Sequence, residues 1–436
     1  MKITQNGKPS RVRFTILAAV FMNVVINYMD RSNISVAAPM ISEDLHLTPV
    51  QLGYIFSSFG WTYALLQIPG GILVDYFGPR VLYAFSLISW SAATIAHSFA
   101  NGFASLIGLR MTIGILEAPS YPTNNRIVTT WFPNNERASA IAVYTSGQFI
   151  GLAFLSPLLT TLEHYTGWKG LFIITGIVGI IWGVVWYYFY RSPEEHPRVN
   201  EAELKYIECN RNTVNRKDTS FQWRDLAEVI SHKKLWGIYL GQFAVNSTMW
   251  FFLTWFPTYL VKYRGISFIK SGFLSSAPFL CAFIGILLSG FLSDYMMKKG
   301  VSASVARKTP VITGLVLSVF IVGANYVSNP AFIIFFMCLS FFGNGFASIT
   351  WVFVSALSPE RLLGLTGGMF NFIGGLAAVF TPLIIGYLIK NNSFAPAIIF
   401  IGMLAILGAF SYIFLVGKVE RIETKQEALL GDKVML

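Results

Sequence analysis

Apolar stretches long enough to cross a bilayer recur along almost the whole chain, and this repetition constrains the fold more than any other feature. A helix needs about 20 mostly apolar residues to cross the hydrocarbon core. Twelve stretches meet this requirement, so the sequence predicts an all-α membrane protein with twelve transmembrane helices. The predicted spans are 14–39, 50–74, 80–98, 103–128, 138–162, 168–190, 234–261, 270–296, 308–327, 331–356, 362–389 and 394–417.

The composition is typical of a chain in lipid, because 54% of the residues are hydrophobic and only 12% are charged. The charged fraction is about half that of a soluble domain, which excludes a soluble enzyme, a disordered scaffold and a disulfide-rich secreted domain. The formal net charge is +11, but the basic residues lie between apolar stretches, so we expect no nucleic-acid partner. Three distant cysteines have no metal-binding spacing, and we expect no metal or cofactor.

The distribution of Lys and Arg residues predicts the orientation in the membrane. An even number of spans places both termini on the same side, and with that side in the cytoplasm few basic residues lie outside. Those outer residues are Lys169, Lys262, Arg264, Lys270 and Lys390, out of 32 basic residues in the chain. We therefore expect both termini to be cytoplasmic.

A polar stretch at 191–233 contains two prolines and separates six spans from six. The predicted domains are therefore an N-terminal six-helix bundle at 1–190, a cytoplasmic linker at 191–233, and a C-terminal six-helix bundle with a cytoplasmic tail at 234–436. Within the linker, residues 200–210 have helix-forming composition and predict a surface helix.

Four ionisable residues lie deep inside the predicted spans, and all four belong to the N-terminal half: Asp30, Arg31, Arg110 and Glu117. A charge at the middle of the bilayer costs at least about 2.5 kcal/mol, so each indicates function. Arg110 and Glu117 are seven residues apart and share one helix face, where they line a cavity without meeting. A carboxylate in such a cavity carries a proton, and an arginine binds an organic anion. The alternative is a set of ion pairs that only join helices.

The C-terminal half has no such charges, and its spans offer neutral polar groups instead. Ser348, Thr350 and Asn371 carry hydroxyl and amide groups that suit a polyol chain, and Trp351 is expected to form a pocket wall. The alternative is ordinary hydrogen bonding between helices.

Several motifs carry a family resemblance. The six-plus-six spans and the Gly-x-x-x-Asp-x-x-Gly-x-Arg turn at 71–80 resemble the major facilitator superfamily, whose fold has two six-helix halves. Further motifs resemble the anion:cation symporter family within it, and there the bacterial sugar-acid symporters. These motifs are NYMDRSN, GLRMTIGILEAPSYPTNN, YTSGQF, GQFAVNSTMWFFLTWFP, ARKTP and FFGNGFASITW.

The resemblance implies a role for individual residues. Asp30 and Glu117 match the proton carriers of the family, and Arg110 is expected to tune Asp30. Residues that match the family's sugar-acid site are Tyr28, Arg31, Tyr63, Gln148, Gln242, Ser348, Thr350, Trp351 and Asn371. Arg31 is expected to hold the carboxylate of the substrate.

The resemblance also implies proton-coupled import of a sugar-acid anion across the bacterial inner membrane, by alternating access around a midplane site. The segments SGQF at 146–149 and SITW at 348–351 favour D-galactonate. The alternatives are a related sugar acid (a hexuronate, or glucarate and galactarate) and a proton-independent uniporter of the same fold. The expected partners are the anion, protons and the lipid bilayer, with a monomeric protein. An enzyme or an ATP-driven pump is not expected, because HExxH, GxSxG and GxxxxGK[ST] motifs do not occur.

Overall fold

The computed structural model describes residues 9–209, 223–359, 362–389 and 393–422, which are largely helical. No β-strand occurs in these ranges, so the prediction of an all-α protein is confirmed. The middle of the predicted linker (210–222), the outer residue Lys390 and the predicted tail from residue 423 onward lie outside the described residues.

The chain divides into two compact units, each described here by itself. The first unit comprises Met1–Leu47 and Ser58–Lys217, and the second comprises Thr48–Ser57 and Asp218–Leu436. The helices up to residue 209 are α1 (Val12–Asp44), α2 (Pro49–Ala96), α3 (Phe103–Glu117), α4 (Ser120–Trp131), α5 (Asn134–Phe189) and α6 (Glu201–Cys209). From residue 223 they are α7 (Trp223–Ser231), α8 (Lys233–Thr254), α9 (Phe256–Thr258), α10 (Phe268–Lys298), α11 (Ala303–Ser318), α12 (Pro330–Ala347), α13 (Trp351–Leu357), α14 (Leu363–Leu388) and α15 (Ala395–Phe410).

Eight helical stretches of the described residues are long and apolar enough to cross a membrane. The count of twelve spans stays a prediction, although α2 and α5 each cover two predicted spans. Gly78 interrupts α2 with φ 74°, and Gly167 interrupts α5 with φ 70°. Glycine adopts positive φ without steric cost, so these two residues turn the chain between successive helical segments.

Prolines interrupt the helices inside two predicted spans. The span at 103–128 is two helices, because Pro119 follows the end of α3 and cannot supply the N–H that would continue it. The span at 234–261 ends as α8 at Thr254, and Pro257 lies in the short α9 that follows. Both predicted spans therefore contain a helix end near a proline.

The span at 331–356 is also interrupted. A 3₁₀ turn at Ser348–Thr350 separates α12 from α13, and Ile349 has a non-helical ψ of 18°. The Ser348 hydroxyl donates to the Asn344 carbonyl at 2.8 Å, a bond between residues four apart that commonly bends helices. The bend therefore falls at the predicted substrate residues.

The predicted linker helix is α6, and it packs on the first turn of α1. The Glu203 carboxylate accepts hydrogen bonds from the backbone N–H groups of Val12 and Arg13, at 2.9 and 3.2 Å, and from the Ser10 hydroxyl. Such first-turn N–H groups have no partner inside their own helix. Glu203 therefore caps α1 from a distant part of the chain.

Arg13 extends this contact to the start of α5. Its guanidinium lies 3.1 Å from Glu203 and 3.0 Å from Glu136, and the Tyr206 hydroxyl donates to Glu136 at 2.8 Å. Burial opposes the charge on Glu136, but the hydrogen bonds from Arg13 and Tyr206 hold the pKa of this carboxyl below its usual value. Burial likewise opposes the charge on Glu203, and bonds from Ser10, Val12 and Arg13 lower its pKa.

Candidate functional site

The four charged residues predicted inside the spans are buried in the first unit. Asp30 and Arg31 of α1 are 1% and 5% exposed, and Arg110 and Glu117 of α3 are 1% and 0% exposed. Charges removed from water are costly unless partners compensate them. Their partners therefore indicate what each charge can do.

Arg31 and Glu117 form an ion pair between α1 and α3. Arg31 Nε donates to Glu117 Oε2 at 2.8 Å. The guanidinium carbon of Arg31 also lies 5.1, 4.9 and 4.6 Å from the ring centroids of Tyr28, Phe59 and Tyr63. Aromatic faces attract cations, most strongly where water is excluded. One carboxylate and three rings therefore hold the arginine.

This ion pair leaves hydrogen-bonding capacity unused. Arg31 Nη2 and Glu117 Oε1 are buried and have no hydrogen-bond partner within the described residues. A guanidinium presents a planar fork that binds a carboxylate through two parallel bonds. Arg31 can therefore bind a second anion, or exchange Glu117 for one.

Gly114 explains how α3 approaches α2 so closely near Glu117. A Cβ atom at this position would overlap the Thr62 hydroxyl and lie 2.5 Å from the Phe59 carbonyl oxygen. Only glycine lets α3 pack directly on α2 here. Glu117 follows three residues later as the last residue of α3, next to the rings that surround Arg31.

Asp30 has different partners from its neighbour. The Trp90 indole N–H donates to Asp30 Oδ2 at 2.9 Å, and the Asn33 amide lies 3.4 Å from Oδ1. The same amide donates to the Thr175 hydroxyl at 2.9 Å. Successive side chains of a helix project about 100° apart, so Asp30 and Arg31 face different helices. Neutral groups thus hold Asp30, whereas a cation holds Glu117.

Arg110 forms no ion pair with any described residue. Its guanidinium carbon lies 4.9 Å from the centroid of Phe59, the same ring that Arg31 contacts. Arg110 Nε is buried without a hydrogen-bond partner among the described residues. The expectation that Arg110 tunes Asp30 stays a prediction.

The remaining predicted substrate residues of the first unit lie beside Arg31. The Tyr28 hydroxyl donates to Gln148 Oε1 at 2.7 Å and joins α1 to α5. Tyr63 stacks on Phe59 with a centroid separation of 5.1 Å. Together with Arg31, these residues form one continuous group of polar and aromatic side chains.

In the second unit a chain of hydrogen bonds runs from Thr350 to α14. The Thr350 hydroxyl donates to Gln242 Oε1 at 2.6 Å, and Gln242 Nε2 donates to Asn246 Oδ1 at 3.2 Å. Asn246 Nδ2 then donates to the Gly374 carbonyl at 2.9 Å. Because each donor has a fixed acceptor, the chain fixes which end of the Gln242 amide accepts and which end donates.

The other predicted residues of the second unit are less tightly held. Trp351 is 49% exposed and packs edge-on against Phe370 of α14, with ring centroids 5.1 Å apart. Asn371, the next residue of α14, is exposed, and the Ser348 hydroxyl donates to its own helix.

Several residues that contact the predicted site were not among its predicted members, and Asn33, Phe59, Trp90 and Asn246 are examples. Two of them are at helical spacing from predicted residues, since Asn33 is three residues after Asp30 and Asn246 is four after Gln242. That spacing is a usable sequence signal. Phe59 and Trp90 are brought in by tertiary packing, which the sequence pattern does not reveal.

The sequence profile of the Major Facilitator Superfamily matches residues 20–306. The chain belongs to this superfamily. A D-galactonate transporter of Escherichia coli O6:H1 is 50% identical over 426 residues, which cover 95% of this chain and 98% of that protein. A probable galactarate/D-glucarate transporter of Bacillus subtilis is 39% identical, covering 98% and 96% of the two chains.

Solved structures agree with this major facilitator assignment at the level of the fold. A bacterial homolog of the human lysosomal transporter Spinster, in an inward-facing and occupied conformation, matches with a TM-score of 0.74 at 19% identity. The match covers 94% of this chain and 97% of that one. The family and these relatives are transporters and not enzymes, so this chain is a membrane transport protein.

Proposed function

We propose that this major facilitator protein imports a sugar-acid monoanion, with D-galactonate as the first candidate, together with protons and by alternating access. The buried ion pair between Arg31 and Glu117 carries the proposal. Similarity to the D-galactonate transporter of Escherichia coli supports the choice of substrate.

Glu117 is proposed to be a proton carrier that controls Arg31. While Glu117 is ionised, it occupies one edge of the guanidinium and competes with any other carboxylate. When Glu117 takes up a proton it becomes a weaker partner, and Arg31 is then free to bind the substrate carboxylate through its fork. Release of that proton restores the ion pair and displaces the anion.

Asp30 is proposed to be the second proton carrier, with Arg110 influencing its charge from α3. If both carboxylates cycle, up to two protons enter with each monoanion. Uptake then moves net positive charge inward and responds to the membrane potential as well as to the pH gradient.

Polar residues of each unit are proposed to contact the rest of the substrate. Gln148 in the first unit, and Gln242, Ser348, Thr350 and Asn371 in the second, offer donors and acceptors for hydroxyl groups. Tyr28, Tyr63 and Trp351 offer aromatic surface for the carbon chain.

The proposed setting is the inner membrane of a bacterium, with both termini in the cytoplasm. The bundles at 1–190 and 234–436 are proposed to be the two moving domains, joined by the linker at 191–233, in a monomeric protein that needs no cofactor.

Uptake of D-galactonate by the purified protein in liposomes tests the proposal. We expect an imposed gradient, alkaline inside, to drive accumulation above the external concentration. Equal rates with and without the gradient would instead identify a uniporter.

The substrate is tested separately by counterflow, in which a preloaded sugar acid exchanges with labelled D-galactonate. Galactonate, gluconate, glucuronate, glucarate and tartrate form the panel. A second candidate, galactarate or glucarate, is supported by the relative from Bacillus subtilis. Strong competition by glucarate with weak competition by galactonate would favour it.

A further inference from the structure

Trp90 lies on α2, and its contacts single out Asp30. Trp90 is fully buried, and its indole N–H donates to Asp30 Oδ2 at 2.9 Å across 60 residues of sequence. An indole N–H donates and cannot accept, so this bond forms with the oxygen regardless of tautomer or rotation. A fixed donor of this kind stabilises the ionised carboxylate more than the protonated one.

Within the described residues, few other groups that hydrogen bond or carry a charge surround Asp30. From α1, Asn33 Nδ2 lies 3.4 Å from Oδ1 but is shared with Thr175 of α5. The charged groups that influence Asp30 are Glu117 and Arg110 of α3, and neither forms an ion pair with it. The hydrogen bond from Trp90, at 2.9 Å, is therefore shorter than the contact with Asn33, at 3.4 Å.

We infer that Trp90, assisted by Asn33, is a positioning residue for proton exchange: its indole N–H orients the Asp30 carboxylate and sets the pH range over which Asp30 loads and releases its proton. This inference rests on the proposed function, in which Asp30 carries a proton during transport.

Loss of the Trp90 indole donor is expected to change proton exchange at Asp30 in one direction. Without the indole donor, the ionised form of Asp30 loses a hydrogen bond while the protonated form loses less. Asp30 then keeps its proton at higher pH, so loading from outside needs less acid and release inside becomes slower.

Trp186 provides a matched control in the same unit. It is a fully buried tryptophan whose ring contacts Tyr83, as the ring of Trp90 does, with centroid distances of 5.2 and 6.2 Å. Its indole nitrogen has no hydrogen-bond partner among the described residues. Replacing Trp186 with Phe removes the same atoms from a similar environment but breaks no described bond to Asp30.

The experiment compares wild type, Trp90→Phe and Trp186→Phe as full-length proteins in liposomes. Initial D-galactonate uptake is measured over a series of external pH values. We expect the midpoint of the Trp90→Phe profile to move upward by about one pH unit, with a lower maximal rate. The Trp186→Phe midpoint is expected to stay at that of wild type.

An unmoved midpoint in Trp90→Phe would overturn the inference. An equal shift in Trp186→Phe would overturn it too, because the shift would then come from lost packing and not from the lost hydrogen bond. If Trp90→Phe does not fold, Asn33→Ala provides a second test. It removes the longer hydrogen bond to Asp30 and is expected to shift the midpoint in the same direction by a smaller amount. No shift would again overturn the inference. A wild-type rate that ignores pH would contradict the proposed function instead, so the two failures are distinguishable.

Discussion

Arg31 and Glu117 are 86 residues apart in sequence and 2.8 Å apart in the structure, where they form a buried ion pair surrounded by aromatic rings. Either partner alone would be an uncompensated charge in a nonpolar environment. Such a pair is a poor stabiliser compared with apolar packing, but it is well suited to a switch, because one added proton weakens it.

Arg31→Lys tests the need for a guanidinium fork. Lysine keeps the charge but has no planar fork, so it binds one oxygen of a carboxylate at a time and stacks less well on rings. We expect D-galactonate to bind about 10- to 100-fold more weakly in a tryptophan fluorescence titration of the purified protein. The control is Arg198→Lys, at an exposed position. Equal affinity of Arg31→Lys and wild type would contradict the role of the fork.

Gly114→Ala tests the close packing that positions Glu117. The added methyl group would overlap the Thr62 hydroxyl and the Phe59 carbonyl oxygen. Because the Phe59 carbonyl is part of the α2 backbone, relieving this overlap requires α2 or α3 to shift. We expect the free energy of unfolding to fall by about 1–3 kcal/mol, measured by thermal unfolding in detergent. Gly108→Ala on the same helix is the control, because a Cβ atom there has nothing within 4 Å. Comparable stability of the two variants would show that α3 is not constrained at Gly114.

Asn246→Ala tests the hydrogen-bond chain of the second unit. Its loss leaves the Gly374 carbonyl without its donor and lets the Gln242 amide rotate. We expect the KM for D-galactonate to rise about tenfold with little change in the maximal rate. Ser247→Ala serves as control, since among the described residues its hydroxyl donates to the Phe243 carbonyl of its own helix, at 2.7 Å. An unchanged KM for Asn246→Ala would mean that Gln242 does not need this support.

Glu203→Gln tests the contact of α6 with the ends of α1 and α5. The pKa values of Glu203 and Glu136 are lowered in the folded protein, so the stability that they add is present above the ordinary carboxyl pKa of about 4.3. That stability is lost as the pH falls through the lowered values. At neutral pH we expect Glu203→Gln to be less stable than wild type by about 1–2 kcal/mol, with the gap closing in acid.

Thermal unfolding across a pH series measures this gap. Glu208→Gln, on the exposed face of α6, is the control and should match wild type at every pH. A stability gap that stays constant into strong acid would contradict an ionic contribution from Glu203.

The sequence is sufficient for much of the fold. Apolar length and the placement of Lys and Arg act locally, so an all-α membrane protein of this superfamily follows from them without knowledge of packing. The positions where helices are interrupted are harder to predict from the sequence. Pro119 and Pro257 are visible signals, but the turn at Ser348 depends on a hydroxyl that bonds back to Asn344, and serine residues elsewhere in the chain do the same within intact helices.

The candidate site, too, could be predicted only in part from the sequence. Charged residues are easy to identify within apolar stretches of sequence. For this reason the sequence predicts functional roles for Asp30, Arg31, Arg110 and Glu117. Their pairing does not follow from the sequence, because either arginine could meet either carboxylate. The pairing of Arg31 with Glu117 and of Trp90 with Asp30 depends on tertiary packing of α1 with α3 and α2, which the sequence pattern does not reveal.

The coupling of proton and anion through Glu117 is the central claim, and Glu117→Gln tests it most directly. Glutamine keeps the shape of the side chain but carries no charge, so Arg31 stays free and substrate binding no longer depends on a proton. We therefore expect counterflow of D-galactonate to persist in this variant, while an imposed pH gradient drives less accumulation than in wild type, because only Asp30 can still carry a proton.

The decisive measurement follows protons and anion together in liposomes that contain a pH-sensitive dye. Adding D-galactonate outside, with no imposed gradient, is expected to acidify the interior of wild-type liposomes. Glu117→Gln liposomes are expected to take up labelled D-galactonate with at most half the protons per anion. Uptake by wild type without acidification, or an unchanged proton-to-anion ratio in Glu117→Gln, would contradict the account.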